Sequence, residues 1–190
     1  MILYVHGFSS SGNAMKAKLL REYYGKNEII ISPDLPVEPE KAFELLENIL
    51  NSSGDDKNIV IGSSLGGFYA LALHRKYNVP VVIINPALYP WIQLKIYLGE
   101  NENQSTGKKF LWKKEYLKQL KKIEDNPVRN SDLKNVFLLV ATDDELIDYN
   151  ETISILGNTG SLIIWDNCGH EFRRFSEALE LIDEFYHKVF

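Results

Sequence analysis

An α/β fold, a mostly parallel sheet of about six strands flanked by helices, is predicted by three observations. Short apolar runs rich in β-branched residues alternate with stretches of helical periodicity. Those runs are too apolar to face water on either side, which calls for helices over both faces of a parallel sheet. From Lys57 to Leu73 the chain passes from such a run through Gly62-Ser63-Ser64-Leu65-Gly66 into a Pro-free stretch of Ala, Leu and Phe, reading strand, sharp turn, helix.

Taken in order, Ile2 to Val5 is a buried strand, and His6-Gly7-Phe8-Ser9-Ser10-Ser11-Gly12 is a polar, flexible loop. Asn13 is the expected cap of a helix running to Tyr24 and stopped at Gly25, with Leu19, Leu20 and Tyr23 inward. Glu28 to Ser32 reads as a second strand. Residues 39 to 51 repeat Phe43, Leu45, Leu46, Ile49 and Leu50 at helical spacing. The strand and helix around Ser64 come third, the helix ending near Lys76, and Val79 to Ile84 makes a further strand. Residues 86 to 134 then break the rhythm with Tyr89-Pro90-Trp91, a polar run from Gly99 to Asn103, and an amphipathic helix from about Lys108 to Ile123 with Trp112, Tyr116, Leu120 and Ile123 on one face. An insertion here lies over the carboxyl ends of the strands, so it reads as a small lid. Asn135 to Ala141 and Gly160 to Trp165 return to strands, and a terminal helix carries Phe175, Leu179, Leu181, Ile182 and Phe185.

The length of 190 residues fits a single domain, 1–190, with the 86–134 insertion inside it. A hydrophobic fraction of 45% is a globular value, and a net charge of −5 gives no electrostatic reason to expect nucleic acid as a partner. No apolar run is long enough to span a membrane. The single cysteine, Cys168, forms no internal disulfide, and the first residues carry no basic leader, so a cytoplasmic location is expected. The lysines of the insertion (Lys108, Lys109, Lys113, Lys114, Lys118, Lys121 and Lys122) read as a solvated helix face, with an anion-binding patch as the alternative. Scattered histidines and the lack of a Cys pair or His-Glu-x-x-His argue against a metal, and no cofactor is expected. Oligomeric state is not legible.

The chemistry centres on Ser64. A nucleophile on so tight a turn holds a strained backbone, and side chains two residues either side would collide, hence Gly62 and Gly66. The start of the following helix offers unpaired N–H groups where an oxyanion forms, so the Leu65 N–H is one expected donor, and the His-Gly pair after the first strand makes the Phe8 N–H the other. His6 itself is expected to hold its loop rather than move protons. A serine hydroxyl needs a base, and the base needs an acid to set its tautomer. In the chain order Ser, acid, His of α/β hydrolases, His170 is the base, on a loop just before the last helix. Asp143, Asp144 and Asp148 are the candidate acids. Asp144 is the first choice, Asp148 having an alternative role as helix cap and Asp143 as a solvated side chain.

These residues carry a resemblance. His6-Gly7-Phe8, Gly62-Ser63-Ser64-Leu65-Gly66-Gly67 with Tyr69-Ala70, Asn85-Pro86-Ala87, Tyr97-Leu98-Gly99-Glu100-Asn101-Glu102-Asn103 with Thr106-Gly107, Asp144-Glu145 with Asp148-Tyr149, and Gly169-His170 with Phe172 resemble the small bacterial esterases of the YqiA/YcfP-like family, a compact branch of the α/β hydrolases. The resemblance spans nearly the whole chain. It implies a compact α/β-hydrolase fold and hydrolysis of small-molecule carboxylic esters or acyl thioesters by Ser64, Asp144 and His170. It departs at Asp143, where the family prefers Gly. A non-catalytic binding protein on the same fold, or a peptidase or lactonase using the same residues, is the alternative reading.

Overall fold

Residues that alternate along a strand send their side chains to opposite faces of a sheet, and that period divides the core of this protein in two. A computed structural model describes residues 1–54, 57–125 and 132–190. Its first half runs β1 (Ile2–Val5), α1 (Met15–Tyr24), β2 (Ile30–Ile31), α2 (Pro39–Ser52), β3 (Ile59–Ser63), α3 (Leu65–Tyr77) and β4 (Val81–Ile84). There follow α4 (Pro90–Gln93), continued by a 3-10 turn over Leu94–Tyr97, then β5 (Gly99–Glu102), β6 (Lys109–Trp112) and α5 (Lys114–Asp125). The chain ends with β7 (Val136–Ala141), α6 (Tyr149–Leu156), β8 (Ser161–Trp165) and α7 (Phe175–Val189).

Six strands pair parallel in the order β2-β1-β3-β4-β7-β8, with Val5 beside Gly62 and Ser63 beside Ile84. On one face Leu3, Val60, Ile83 and Leu138 pack with Leu46 of α2, Leu73 of α3 and Leu120 of α5. On the other, Ile61, Ile84 and Leu139 meet Leu20 of α1 and Phe175 and Ile182 of α7. Each such side chain removed from water contributes about 1.5–3 kcal/mol. The α3 helix is buried from Leu65 through His74, as a helix apolar all round must be, and this fixes the turn at Ser64 against the centre of the sheet. Among the described residues no helix is long and apolar enough to cross a membrane.

Several elements differ from the sequence reading. Asn13 does not cap α1. The Ser11 carbonyl accepts the Ala14 N–H and its hydroxyl accepts the Asn13 N–H, so the chain enters the helix one residue later, behind Ala14. The buried residues of α1 are Ala17, Leu20 and Tyr24, with Leu19 half-buried against the same core and Tyr23 exposed. The second strand pairs only over Ile30–Ile31 at the sheet edge, where Ile29 is exposed.

The largest difference lies in residues 99–112, where a two-stranded antiparallel sheet replaces the first turn and more of the expected helix. Its turn is made by Asn103, whose side-chain oxygen accepts the Ser105 and Thr106 N–H groups, and by Gly107 at φ +69°. Such an Asx turn competes with helix for the same backbone donors, and Phe110, Leu111 and Trp112 favour the strand. The helix starts at Lys114. Trp112 and Tyr116 still meet, with ring centroids 5.3 Å apart, but from strand and helix. The hairpin is tied to the loop after β1: the Ser9 hydroxyl donates to the Glu102 carbonyl at 2.7 Å and the Asn103 amide donates to the Ser10 carbonyl at 2.7 Å. Lys113, Lys121 and Lys122 pair with Glu115, Asp125 and Glu40, the arrangement of a solvated face. Residues 126–131, at the end of the expected insertion, lie outside the described residues.

Candidate active site

Ser64 stands between β3 and α3 at φ +56°, ψ −119°, a region that a residue with a side chain occupies only under strain. The surroundings hold it there. The Ser64 N–H donates to the Ile84 carbonyl, and its own carbonyl accepts the Gly67 and Ala87 N–H groups. The two flanking glycines are required by contact: a Cβ on Gly62 would lie 2.2 Å from the Gly66 carbonyl oxygen, and one on Gly66 would lie 1.9 Å from the Val5 carbonyl oxygen. Neither obstacle is a flexible side chain. Gly66→Ala is therefore expected to destabilise the protein by roughly 3 kcal/mol or more. Denaturant unfolding checks this, and a loss below about 1 kcal/mol would contradict the close approach of β1 to α3.

Beside Ser64, the His170 ring is placed so that Nε2 lies 3.0 Å from the Ser64 Oγ and Nδ1 lies 2.9 and 3.0 Å from the two Asp144 carboxylate oxygens. The Asp144 side chain is only 2% exposed, and its Oδ1 also accepts the Leu146 and Ile147 N–H groups. A carboxylate facing Nδ1 fixes the ring with its proton on that nitrogen, leaving the Nε2 lone pair toward the hydroxyl. The three side chains that the sequence grouped thus stand in one line at the carboxyl ends of β3, β7 and β8.

The neighbouring acids divide their work. Asp148 caps α6, accepting the Asn150 N–H at 2.8 Å. Asp143 is not simply solvated: its Oδ1 accepts the Cys168 and Gly169 N–H groups at 2.9 and 3.0 Å, and Arg173 lies 3.4 Å from its Oδ2. Glu145 accepts the His170 N–H at 3.0 Å. Three consecutive carboxylates therefore hold the loop that carries His170, two by its backbone and one by the imidazole. The Gly169 and Cys168 N–H groups keep the Asp143 carboxyl below the usual range, and the His170 N–H does the same for Glu145.

Asn85 is a fourth support, buried at the end of β4 with φ +42°. Its amide donates to the Gly169 and His170 carbonyls and accepts the Ala141 N–H. Its signal in the sequence is the Asn85-Pro86-Ala87 tripeptide at a strand end, which carries no chemistry by itself. Leu65 opens α3, so its N–H has no acceptor within the helix, and among the described residues neither it nor the Phe8 N–H is bound to a backbone carbonyl. His6 holds its own loop, with Nδ1 2.9 Å from the Gly7 carbonyl and Nε2 accepting the Leu35 N–H at 3.2 Å, and burial lowers its pKa. His74 sits inside α3 between the Val79 and Asp132 carbonyls, and His187 lies exposed on α7.

A cleft of about 60 Å³ opens beside the turn, lined by Phe8 and Leu65 and by Phe110 and Trp112 of the hairpin. The Phe8 ring packs between Tyr97, Phe110 and Trp112 at 5.2, 5.6 and 4.9 Å. The hairpin is thereby a wall of the cleft.

Comparison with known proteins places this geometry. The chain superposes on α/β-hydrolase domain-containing protein 10 from mouse with a TM-score of 0.75 at 18% identity, covering all of this chain and 90% of that one. It superposes on a monoacylglycerol lipase of Paleococcus ferrophilus with a TM-score of 0.69 at 16% identity, covering 98% and 93%. The fold is that of the α/β hydrolases. A UPF0227 protein of Pectobacterium atrosepticum is 26% identical over 97% of this chain and 98% of its own length. A family model described as "Uncharacterised protein family (UPF0227)" matches residues 1–187, and the chain belongs to that YqiA-like family.

Proposed function

We propose that this protein is a serine hydrolase of small carboxylic esters, acyl thioesters being a second substrate class on the same site. The observation that carries this reading is the Ser64 hydroxyl within 3.0 Å of an imidazole whose other nitrogen rests on a buried carboxylate. In the first half-reaction Ser64 Oγ attacks the ester carbonyl carbon while His170 Nε2 takes its proton, and the carbonyl oxygen becomes an oxyanion held by the Phe8 and Leu65 N–H groups. The bond to the leaving oxygen or sulfur then breaks, His170 returns the proton to it, and an acyl-Ser64 ester remains. Water, deprotonated by His170, attacks that ester in turn, and Ser64 and a carboxylic acid are released. Asp144 holds the imidazolium that forms in each half. The aromatic hairpin of 99–112, within the 86–134 insertion, shapes the acyl site.

A volume near 60 Å³ holds a few water-sized groups, so a short acyl chain fits and a long one does not. With p-nitrophenyl esters, kcat/KM is expected to peak between acetate and hexanoate and to fall at least about tenfold by decanoate. A fluorophosphonate is expected to label Ser64, detected by mass spectrometry of the digested protein. A folded protein that hydrolyses none of these esters and takes no label would overturn the assignment.

A further inference from the structure

Which side of the ester enters the cleft follows from where the proton must go. The leaving group has to lie toward His170 Nε2, which protonates it, and among the described residues lining the cleft there is neither His170 nor Ser64, whereas both oxyanion donors are there and point the acyl side of the ester into it. The cleft is therefore the acyl site, on the reading of the preceding section.

Its walls are not uniformly apolar, and the polar side chains there fall into two groups. His6, Ser9, Ser10 and Asn103 all have hydrogen-bond partners within the protein, in the two loops that the hairpin ties together. Trp112 and Tyr69 do not. Trp112 is 2% exposed, and its indole Nε1–H is buried without an acceptor among the described residues. Tyr69, also 2% exposed, stacks on Phe43 and leans on Phe68, and its hydroxyl has no hydrogen-bond partner among the described residues. Burial raises its pKa, so the phenol remains a donor throughout the working range. The Trp112 Nε1 is fully enclosed and out of reach of the cleft, whereas the Tyr69 hydroxyl is not, so Tyr69 leaves one unmatched donor on the wall of a small cleft beside a nucleophile, where a ligand oxygen would meet it.

The charge around them narrows the ligand. Among the described residues no lysine or arginine lines the cleft, and burial lowers the pKa of His6, so no cation there would offset a buried carboxylate. We infer that the protein selects esters of short, uncharged, oxygen-bearing acids, hydroxyacyl or oxoacyl groups whose second oxygen accepts a hydrogen bond from the Tyr69 hydroxyl.

The test is a matched set of p-nitrophenyl esters, 3-hydroxybutyrate against butyrate and 4-oxopentanoate against pentanoate. Each kcat/KM is divided by the hydroxide-catalysed rate of the same ester to remove intrinsic reactivity. At least one oxygenated ester is expected to exceed its plain partner by about tenfold or more, because a site with unmatched donors discriminates against the analogue that leaves them so. In Tyr69→Phe that ratio is expected to fall toward one, and phosphonate labelling of the variant confirms that its Ser64 site is intact. Ratios near one in the wild type, with the plain esters hydrolysed, would overturn the inference and leave the ester reading standing. A ratio that persists in Tyr69→Phe would overturn it equally. Hydrolysis of none of the four, with no label on Ser64, would bring down the ester reading and this inference together.

Discussion

Ser64→Ala is expected to lower kcat toward a short p-nitrophenyl ester by about 10⁵- to 10⁶-fold, the loss that follows when the nucleophile of such an assembly is removed. The residue left behind is not an empty site. The Phe8 and Leu65 N–H groups and the cleft persist, so ester binding, read as KM or as competition by a product acid, should change little. The fold should change little as well. Serine and alanine both carry a Cβ, and the strain at φ +56° comes from that atom, so the substitution neither adds nor relieves it. Thermal melting of the two proteins is expected to agree within a few degrees. This contrast separates chemistry from folding: a variant that melts like the wild type and is inert carries the assignment, and one that keeps more than about a hundredth of the activity places the nucleophile elsewhere.

The parts of the fold legible in the sequence are those where local pattern and tertiary context agree. The runs at Ile2–Val5, Ile59–Ser63 and Val136–Ala141 are apolar on both faces because they become interior strands of a parallel sheet, and the glycines at 62 and 66 mark backbone approaches that no side chain survives. Ser64, Asp144 and His170 are readable as a group because each falls at a strand end, and strand ends on one edge of a parallel sheet must be neighbours. What the sequence hides depends on contacts between distant residues. Trp112, at the end of the hairpin, shares a helix-like spacing with Tyr116, Leu120 and Ile123 of α5, and it is the Asn103 side chain, turned on its own backbone, together with the strand-favouring Phe110, Leu111 and Trp112 that decides for strand. Asp143 grips backbone N–H groups 25 and 26 residues away, and such bonds leave no trace in residue type or period. Tyr69 and Trp112 read as core residues because they are core residues. Their free donors become visible only when their partners are sought one by one.

The second large effect distinguishes two adjacent aspartates. Asp144→Asn is expected to lower kcat/KM by about 10³- to 10⁴-fold, because an amide facing His170 Nδ1 presents N–H as readily as oxygen and favours the tautomer with the proton on Nε2. A ring in that tautomer has no lone pair toward the Ser64 hydroxyl, although Ser64, His170 and the cleft all remain in place. Asp143→Asn removes the same charge from a site one residue away. Its side-chain oxygen remains to accept the Cys168 and Gly169 N–H groups, so the His170 loop keeps its anchor, and the loss is expected to stay within about tenfold. Asp143→Ala removes the anchor and should fall between the two. The Asp143 and Glu145 carboxyls are held below the usual range by the backbone N–H groups they accept, so their support of the loop is complete above the unfolded-state carboxylate range and fades as pH drops through their lowered values. Loss of activity in acid from loop release should accordingly occur at lower pH than protonation of an ordinary surface carboxyl. Steady-state kinetics on the three variants decides the matter, with thermal melting to show that each is folded. Equal losses in Asp143→Asn and Asp144→Asn would mean that the two carboxylates act on His170 as one unit, and the assignment of Asp144 alone as its partner would fall.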